Sequence, residues 1–108
     1  MDDFVAVAKT TEIPEGTAQA FSVAGREIAI FHHKGRFYAL DDYCPHMGES
    51  LALGDIHGDT VLCSRHLWAF QLENGACVDV PRLAAETFEV RIEGEQILVR
   101  VPQNEEGS

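Results

Sequence analysis

Short runs that alternate apolar and polar residues, separated by turns, cover most of the chain. Residues 87–92 place Phe88, Val90 and Ile92 on one side and charged or polar residues on the other, as in a half-buried strand. The other predicted strands span residues 4–8, 20–23, 27–31, 36–40, 60–62, 69–72, 76–80 and 96–101. Strands this short, joined by glycine-containing turns, predict an all-β antiparallel sandwich or barrel.

Turn and breaker residues set the limits of these strands. Asn74-Gly75 predicts a hairpin with a type I′ turn, because both central residues of that turn need positive φ. Pro81 ends the strand that follows, since it has no N–H for the ladder. Residues 83–86 are the one stretch expected to form a helical turn. We expect a single domain over residues 1–102 and a polar, disordered tail over 103–108.

Two short boxes carry the chemistry of the chain: Cys44-Pro45-His46 and Cys63-Ser64-Arg65-His66. Each box pairs a thiol with an imidazole in a predicted loop, and two such pairs brought together form a metal site. Zinc sites with two Cys and two His usually pair like ligands within a box. A mixed order suits a two-iron centre with two thiolates on one iron and two imidazoles on the other. A structural zinc-binding module remains an alternative.

Residues around the ligands extend the pattern. Cys44-Pro45-His46-Met47-Gly48, and the second box continued through Leu67, Trp68 and Phe70, resemble the paired boxes of Rieske proteins. The resemblance runs from about residue 28 to residue 101 and includes Asn74-Gly75 and Pro81. It implies a Rieske-like antiparallel β sandwich or barrel with two cluster-binding loops at one end.

The resemblance also implies a ligand set and a cofactor, one [2Fe-2S] cluster per chain. Cys44 and Cys63 would ligate the inner iron, and His46 and His66 the outer iron through Nδ1. Pro81 would lie on a loop that covers the cluster. The remaining residues expected to surround it are Met47, Gly48, Leu67, Trp68 and Phe70.

Some residues differ from those of other Rieske proteins. Ser64 and Leu67 stand where the family usually has Pro and Gly. High-potential Rieske proteins carry a disulfide between the two boxes, but Glu49 and Arg65 occupy those positions here. Trp68 and Phe70 stand where those proteins have a hydroxyl-bearing Ser and Tyr. Hydrogen bonds to the cluster raise the potential, so we expect a value near the lower end of the Rieske range, roughly −150 mV.

Charge and composition limit the classes of partner that the chain is expected to bind. The chain has 18 acidic and 8 basic residues, a formal net charge of −10, which argues against nucleic acid and anionic membranes as partners. It suits docking on a basic protein surface, with acidic Asp41, Asp42, Glu49 and Asp55 orienting the encounter. No apolar run approaches a membrane span, and the acidic N-terminus does not open a signal peptide, so a cytoplasmic location is expected.

The remaining reactive side chains are assigned structural positions. Three cysteines, an odd number, argue against a disulfide framework, and Cys77 is expected to be a buried small hydrophobe. His32, His33 and His57 are expected at the surface. The phenylalanines expected in the core are Phe4, Phe21, Phe31, Phe37 and Phe88.

Two electron-transfer functions fit these features. The first is a ferredoxin-type carrier that passes single electrons from a flavin reductase to a terminal oxygenase. The alternative is the small subunit of an assimilatory NAD(P)H nitrite reductase, whose partner is the large subunit. In either case we expect an electron-transfer component of an oxidoreductase system rather than a catalyst on its own.

Overall fold

The computed structural model describes residues 3–23, 25–42, 50–62, 69–78 and 84–101. The strands in these ranges are β1 (Asp3–Lys9), β2 (Ala18–Val23), β3 (Arg26–His33), β4 (Arg36–Asp41), β5 (Asp55–His57), β6 (Thr60–Leu62), β7 (Ala69–Gln71), β8 (Thr87–Glu93) and β9 (Gln96–Val101). Two 3-10 turns, Thr10–Glu12 and Leu51–Leu53, complete the described elements. Nowhere in these ranges is there a helix long and apolar enough to cross a membrane. The all-β prediction is confirmed.

The larger sheet has six strands in the order β1-β9-β8-β4-β3-β2 and is nearly closed into a barrel. All its pairs are antiparallel, with Val90 opposite Val99 between β8 and β9 and Ala39 opposite Phe88 between β4 and β8. Most pairs join neighbours in the chain through short turns, as the spacing of the predicted strands implies. This sheet forms the body against which the rest of the chain packs.

The smaller sheet contains β5, β6 and β7, again antiparallel. β5 is not among the predicted strands, because it is short and mostly exposed. Gly58-Asp59 joins it to β6, and Gly58 has a φ of 57°. A glycine at the first position of a two-residue hairpin loop is typical of a type II′ turn. Gly58-Asp59 is therefore the sequence feature from which the β5–β6 hairpin could have been predicted.

β3 is covered on both faces and so belongs to two cores. Ile28 and Ile30 pack inside the barrel, and Ala29 and Phe31 pack between the barrel and the smaller sheet; all four are fully buried. This explains why residues 28–31 read as a continuous apolar run rather than as an alternating one. The core between the sheets also contains Leu40, Leu51, Val61, Phe70, Leu72, Cys77 and Ala85.

The type I′ turn lies at a different dipeptide from the one predicted. Lys34 and Gly35 have φ values of 52° and 78° and connect β3 to β4. Gly75 has a φ of 76°, but Asn74 is not among the residues with positive φ. The chain after β7 instead turns through a longer loop, in which the Gly75 N–H donates to the Gln71 carbonyl at 2.7 Å.

The segments after that loop are less regular than predicted. Residues 76–78 contact β7 through an isolated bridge between Cys77 and Phe70, not through a continuous strand. Ala84 forms a bridge with Ala76, so the described part of residues 83–86 is extended and the predicted helical turn there is wrong. Residues 102–108 lie outside the described ranges, so the domain limit and the tail stay predictions.

Candidate metal centre

The four predicted ligands lie in two segments outside the described residues. Cys44 and His46 fall within residues 43–49, and Cys63 and His66 fall within residues 63–68. Of the residues predicted to surround the cluster, Met47, Gly48, Leu67, Trp68 and Pro81 also fall outside, and Phe70 is described. The structure therefore defines the centre through the residues at which each segment begins and ends.

Asp42 fixes both ends of the first box segment. Its Oδ1 accepts hydrogen bonds from the Ser50 hydroxyl at 2.8 Å and from the Ala52 N–H at 3.0 Å. Its carbonyl oxygen accepts from the Leu51 N–H at 2.7 Å, and its own N–H donates to the Glu27 carbonyl at 2.9 Å. The carboxylate is buried, with Asp42 only 6% exposed. The chain thus leaves and re-enters the scaffold at one point.

Strand pairing fixes both ends of the second box segment. Leu62 is the last residue of β6 and Ala69 the first of β7, and the two are paired in the antiparallel register. Residues 63–68 therefore begin and end in adjacent strands, as a hairpin loop does.

Gly54 brings the two box segments together. It follows the 3-10 turn that begins after Ser50, and a Cβ added to it would lie 1.9 Å from the carbonyl oxygen of Leu62. Only glycine allows this approach, because a real Cβ would have to displace the backbone. Gly54, which comes shortly after the first box segment, consequently lies against Leu62, the residue that precedes the second.

Backbone hydrogen bonds also fix the ends of the segment that contains Pro81. Val78 precedes it and donates its N–H to the Ala69 carbonyl at 2.7 Å, directly beside the end of the second box. Ala85 follows it, donating its N–H to the Gly75 carbonyl at 2.8 Å. The segment that contains Pro81 therefore begins beside Ala69, the residue that follows the second box segment.

A buried apolar layer lies next to the residues that flank the two box segments. Phe70, Leu51 and Val61 are fully buried in the core between the sheets. Phe70 follows Ala69 in β7 and so lies directly after the second box. Phe70 is thus buried, and its predicted place beside the cluster stays a prediction.

Not all of the acidic residues near the first box can have the docking role predicted for them. Asp42 is buried and hydrogen-bonded, so it cannot guide a partner. Asp41 is half-buried, with Oδ2 lying 3.6 Å from Nη2 of Arg26. Asp55 is exposed as expected, and Glu49 lies outside the described residues.

Two of the three histidines predicted at the surface are instead integrated into the fold. His33 is 9% exposed, and its Nε2 lies 2.9 Å from Asp59 Oδ1 in the β5–β6 turn. The hydrogen bond from His33 and the nearby Lys34 ammonium lower the pKa of Asp59. His32 is half-buried, stacks on Phe37 at 4.0 Å and places Nδ1 2.8 Å from the Ile13 carbonyl. Adjacent residues on a strand face opposite sides, which explains their separate contacts.

Glu15 anchors the β3–β4 turn at the same end as His33. Its carboxylate accepts hydrogen bonds from the N–H groups of Gly35 and Lys34, and these bonds lower its pKa. His57 is exposed and Cys77 is buried, both as predicted.

The described residues form a scaffold that fits a metal centre held by the two box segments. Among them, no three His, Cys, Asp or Glu side chains are placed to hold a metal. The predicted thiolate and imidazole donors belong to the two segments outside the described residues, and that donor set is the one a mixed Cys/His iron–sulfur centre requires.

Comparison with known proteins identifies a family for this arrangement. Residues 3–93 match the Rieske [2Fe-2S] domain family. The chain is 32% identical over 98 residues to the alkene monooxygenase system ferredoxin component of Xanthobacter autotrophicus, covering 90% of this chain and 80% of the relative. It is 38% identical over 71 residues to cholesterol 7-desaturase nvd of Xenopus laevis, covering 64% of this chain but 16% of that protein.

Solved structures show the same fold. The ferredoxin of carbazole 1,9a-dioxygenase from Nocardioides aromaticivorans superposes with a TM-score of 0.83 at 28% identity, covering 89% of this chain and 95% of the other. A ferredoxin–oxygenase complex of carbazole 1,9a-dioxygenase gives 0.84 at 25% identity, with 95% and 97% covered. A Mycobacterium tuberculosis protein described as an NADH-dependent nitrite reductase small subunit gives 0.89, with 96% and 99% covered, at 19% identity, a level that shows the fold alone.

Proposed function

Because the chain belongs to the Rieske [2Fe-2S] domain family, we propose that it is a one-electron carrier with one cluster per chain, held by Cys44, His46, Cys63 and His66. The observation that carries the proposal is the close approach of Gly54, which follows the first box, to the Leu62 carbonyl, which precedes the second. It supports a single centre built from both boxes rather than two separate sites.

Each ligand has a distinct role in this proposal. Cys44 and Cys63 would hold the inner iron as thiolates, and His46 and His66 would hold the outer iron through Nδ1. When bound, a cluster of this type takes one electron from a donor protein and gives one to an acceptor. The buried side chains of Leu51 and Phe70 exclude water from beneath the loops.

The proposed partners are a flavin reductase as electron donor and a terminal oxygenase as acceptor. The alkene monooxygenase ferredoxin component, similar over most of both chains, supports this choice, as does the carbazole dioxygenase ferredoxin at 28% identity. The alternative is a nitrite reductase small subunit; one such protein has the same fold, at 19% sequence identity.

Docking is proposed to take place at the cluster end. The outer edges of His46 and His66 provide the electron exit, with Met47, Leu67 and Pro81 as an apolar rim. The net charge of −10 favours a basic partner surface, so raising the salt concentration should slow electron transfer. A rate independent of salt would contradict this steering.

The proposed potential and location follow from the side chains present. A low reduction potential is expected because neither Trp68 nor Phe70 can donate a hydroxyl hydrogen bond to the cluster. A cytoplasmic location is proposed because an odd number of cysteines, three, suits a reducing compartment.

Spectroscopy of the purified protein tests the proposal. Visible absorption, EPR of the reduced protein, and iron and sulfide analysis should reveal a Rieske cluster with two irons per chain. His46→Ala and His66→Ala should each abolish the spectrum. The matched control, His57→Ala at an exposed histidine, should retain it. A colourless protein that contains zinc would overturn the assignment in favour of a structural zinc module.

A further inference from the structure

Arg26, at the start of β3, joins two carboxylates from distant parts of the chain. Its Nη2 lies 2.5 Å from Glu86 Oε1 and 3.6 Å from Asp41 Oδ2. The guanidinium carbon lies over the ring of Phe88, 5.0 Å from its centroid. The planar guanidinium can donate to several acceptors while one face rests on an aromatic ring, which a lysine ammonium cannot reproduce.

The two carboxylates belong to segments that flank the proposed centre. Asp41 ends β4 three residues before Cys44, and Glu86 follows the segment of residues 79–83 that contains Pro81. The backbone joins the same two residues, because the Asp41 N–H donates to the Glu86 carbonyl at 2.7 Å. Arg26 therefore reinforces the contact between the start of the first box and the end of the proline segment.

We propose that Arg26 is a positioning residue for the redox centre: it holds Glu86, which follows the proline segment, against Asp41, which precedes the first box, and its positive charge raises the reduction potential. This inference rests on the proposed electron-carrier function. It concerns residues that the ligand boxes do not include.

The electrostatic sign follows from the charge change at the centre. Reduction adds one electron, and thus one negative charge, near three side chains whose net charge is already −1 with Arg26 present. Without Arg26 the net charge there is −2, which disfavours the reduced state. Loss of one positive charge beside the centre, in a partly solvated environment, should lower the equilibrium constant for reduction about threefold.

The effect should appear in the potential more than in stability. The side chains of Arg26 and Asp41 are each 32% exposed. Ion pairs this exposed contribute little to the free energy of unfolding. A purely structural role would therefore give a small loss of stability and leave the potential where it was.

Arg91 provides a matched control within the same chain. Its guanidinium lies over the Phe4 ring at 4.6 Å, and its Nη1 lies 3.5 Å from Glu93 Oε2. It has the same combination of aromatic ring and glutamate as Arg26. It lies further along β8, away from Glu86 and the proline segment.

The test is an EPR-monitored redox titration of holoprotein for the wild type, Arg26→Gln, Arg26→Lys and Arg91→Gln. Arg26→Gln should lower the equilibrium constant for reduction about threefold. Arg26→Lys should lower it less, and Arg91→Gln should leave it unchanged. A wild-type potential in Arg26→Gln, or an equal shift in Arg91→Gln, would overturn the inference.

Glu86→Gln is a second test, in which the reduction potential should shift in the opposite direction. Removing this carboxylate should raise the potential, and it does so without removing the arginine. A fall or no change in Glu86→Gln would contradict the electrostatic part, even if Arg26→Gln failed to retain the cluster. Absence of a Rieske signal in the wild type would overturn the function as well, whereas a normal wild-type signal with no variant effect would remove only the role of Arg26.

Discussion

The Asp42 carboxylate and the Ser50 hydroxyl are joined by a 2.8 Å hydrogen bond across the base of the first ligand segment. The two bonds that the Asp42 side chain accepts from described residues, Ser50 and the Ala52 N–H, end on the same oxygen, Oδ1. An asparagine could therefore keep both bonds through its own Oδ1. The contact thus separates the effect of hydrogen bonding from that of charge.

Replacing Asp42 tests whether its hydrogen bonds hold together the two ends of the first ligand segment. Asp42→Ala should destabilise the holoprotein by about 1–3 kcal/mol, because it leaves partly buried donors without an acceptor. Asp42→Asn should retain most of the stability. Urea denaturation followed by circular dichroism measures both, with loss of visible absorbance reporting cluster release. Equal destabilisation by Ala and Asn would show that the charge, not the accepted bonds, is what matters.

Gly54→Ala should separate the two box segments. The added Cβ would lie 1.9 Å from the Leu62 carbonyl oxygen, so the backbone must move, at a cost of roughly 1–3 kcal/mol or more. Gly54 has a φ of −82°, so the penalty is steric and not conformational. We expect reduced cluster content, measured as iron per chain.

Gly94→Ala is the control for that substitution. Gly94 has a φ of 62° and nothing within 4 Å of its added Cβ, so the change costs about 1 kcal/mol of conformational strain and no clash. It should retain full iron content. Equal iron loss in the two variants would contradict the role given to the close approach at Gly54.

Stability should fall in acid through Asp59. Its folded-state pKa lies below its ordinary value of 3.8, mainly because of the His33 hydrogen bond. A carboxylate with a lowered pKa contributes stability above its unfolded pKa and loses it as the pH falls through the folded one. The Tm difference between wild type and Asp59→Asn should therefore be constant above about pH 5 and shrink below about pH 4.

A double substitution identifies the cause of that pH dependence. In a His33→Phe background, which removes the hydrogen bond to Asp59, the same Asp59→Asn change should have a much smaller acid-dependent effect. An undiminished effect would assign the lowered pKa to Lys34, whose Nζ lies 3.8 Å from the Asp59 carboxylate.

Phe70→Tyr should raise the reduction potential. The residue is fully buried directly after the second box, and a hydroxyl hydrogen bond to the cluster would stabilise the more negative reduced state. The control is Phe37→Tyr, on a half-buried ring near the β3–β4 turn, the end of β4 opposite the first box. Redox titration measures both. A lowered stability with an unchanged potential in Phe70→Tyr would show that the hydroxyl does not reach the cluster.

The sequence predicts the strands well wherever one face is exposed. Residues 87–92 alternate and form β8 as expected, because alternation reports burial of a single face. β5 was missed because its residues are few and mostly exposed, so no apolar pattern marks it. The position of the type I′ turn was wrong because Asn-Gly is only a local preference. At Lys34-Gly35 the pairing of β3 with β4 imposes that geometry on a less favourable dipeptide.

Side-chain environments were harder to predict than strands. His33 and Asp42 look like surface residues by type, yet both are buried through contacts with residues far along the chain or across a loop. Such burial depends on the packing of the smaller sheet on the barrel, which no local pattern records. The family, by contrast, could be predicted, because the types of ligand residue and their order are local features of the two boxes.

The fixed ends of the box segments have a thermodynamic consequence for metallation. Closing a loop costs chain entropy, and here the hydrogen bond between Asp42 and Ser50, and the pairing of β6 with β7 at Leu62 and Ala69, close both loops within the protein itself. Iron therefore meets donors whose spacing is already restricted by folding, and it need not supply that part of the ordering free energy. The folded chain should bind its metal more tightly than peptides containing the same two boxes.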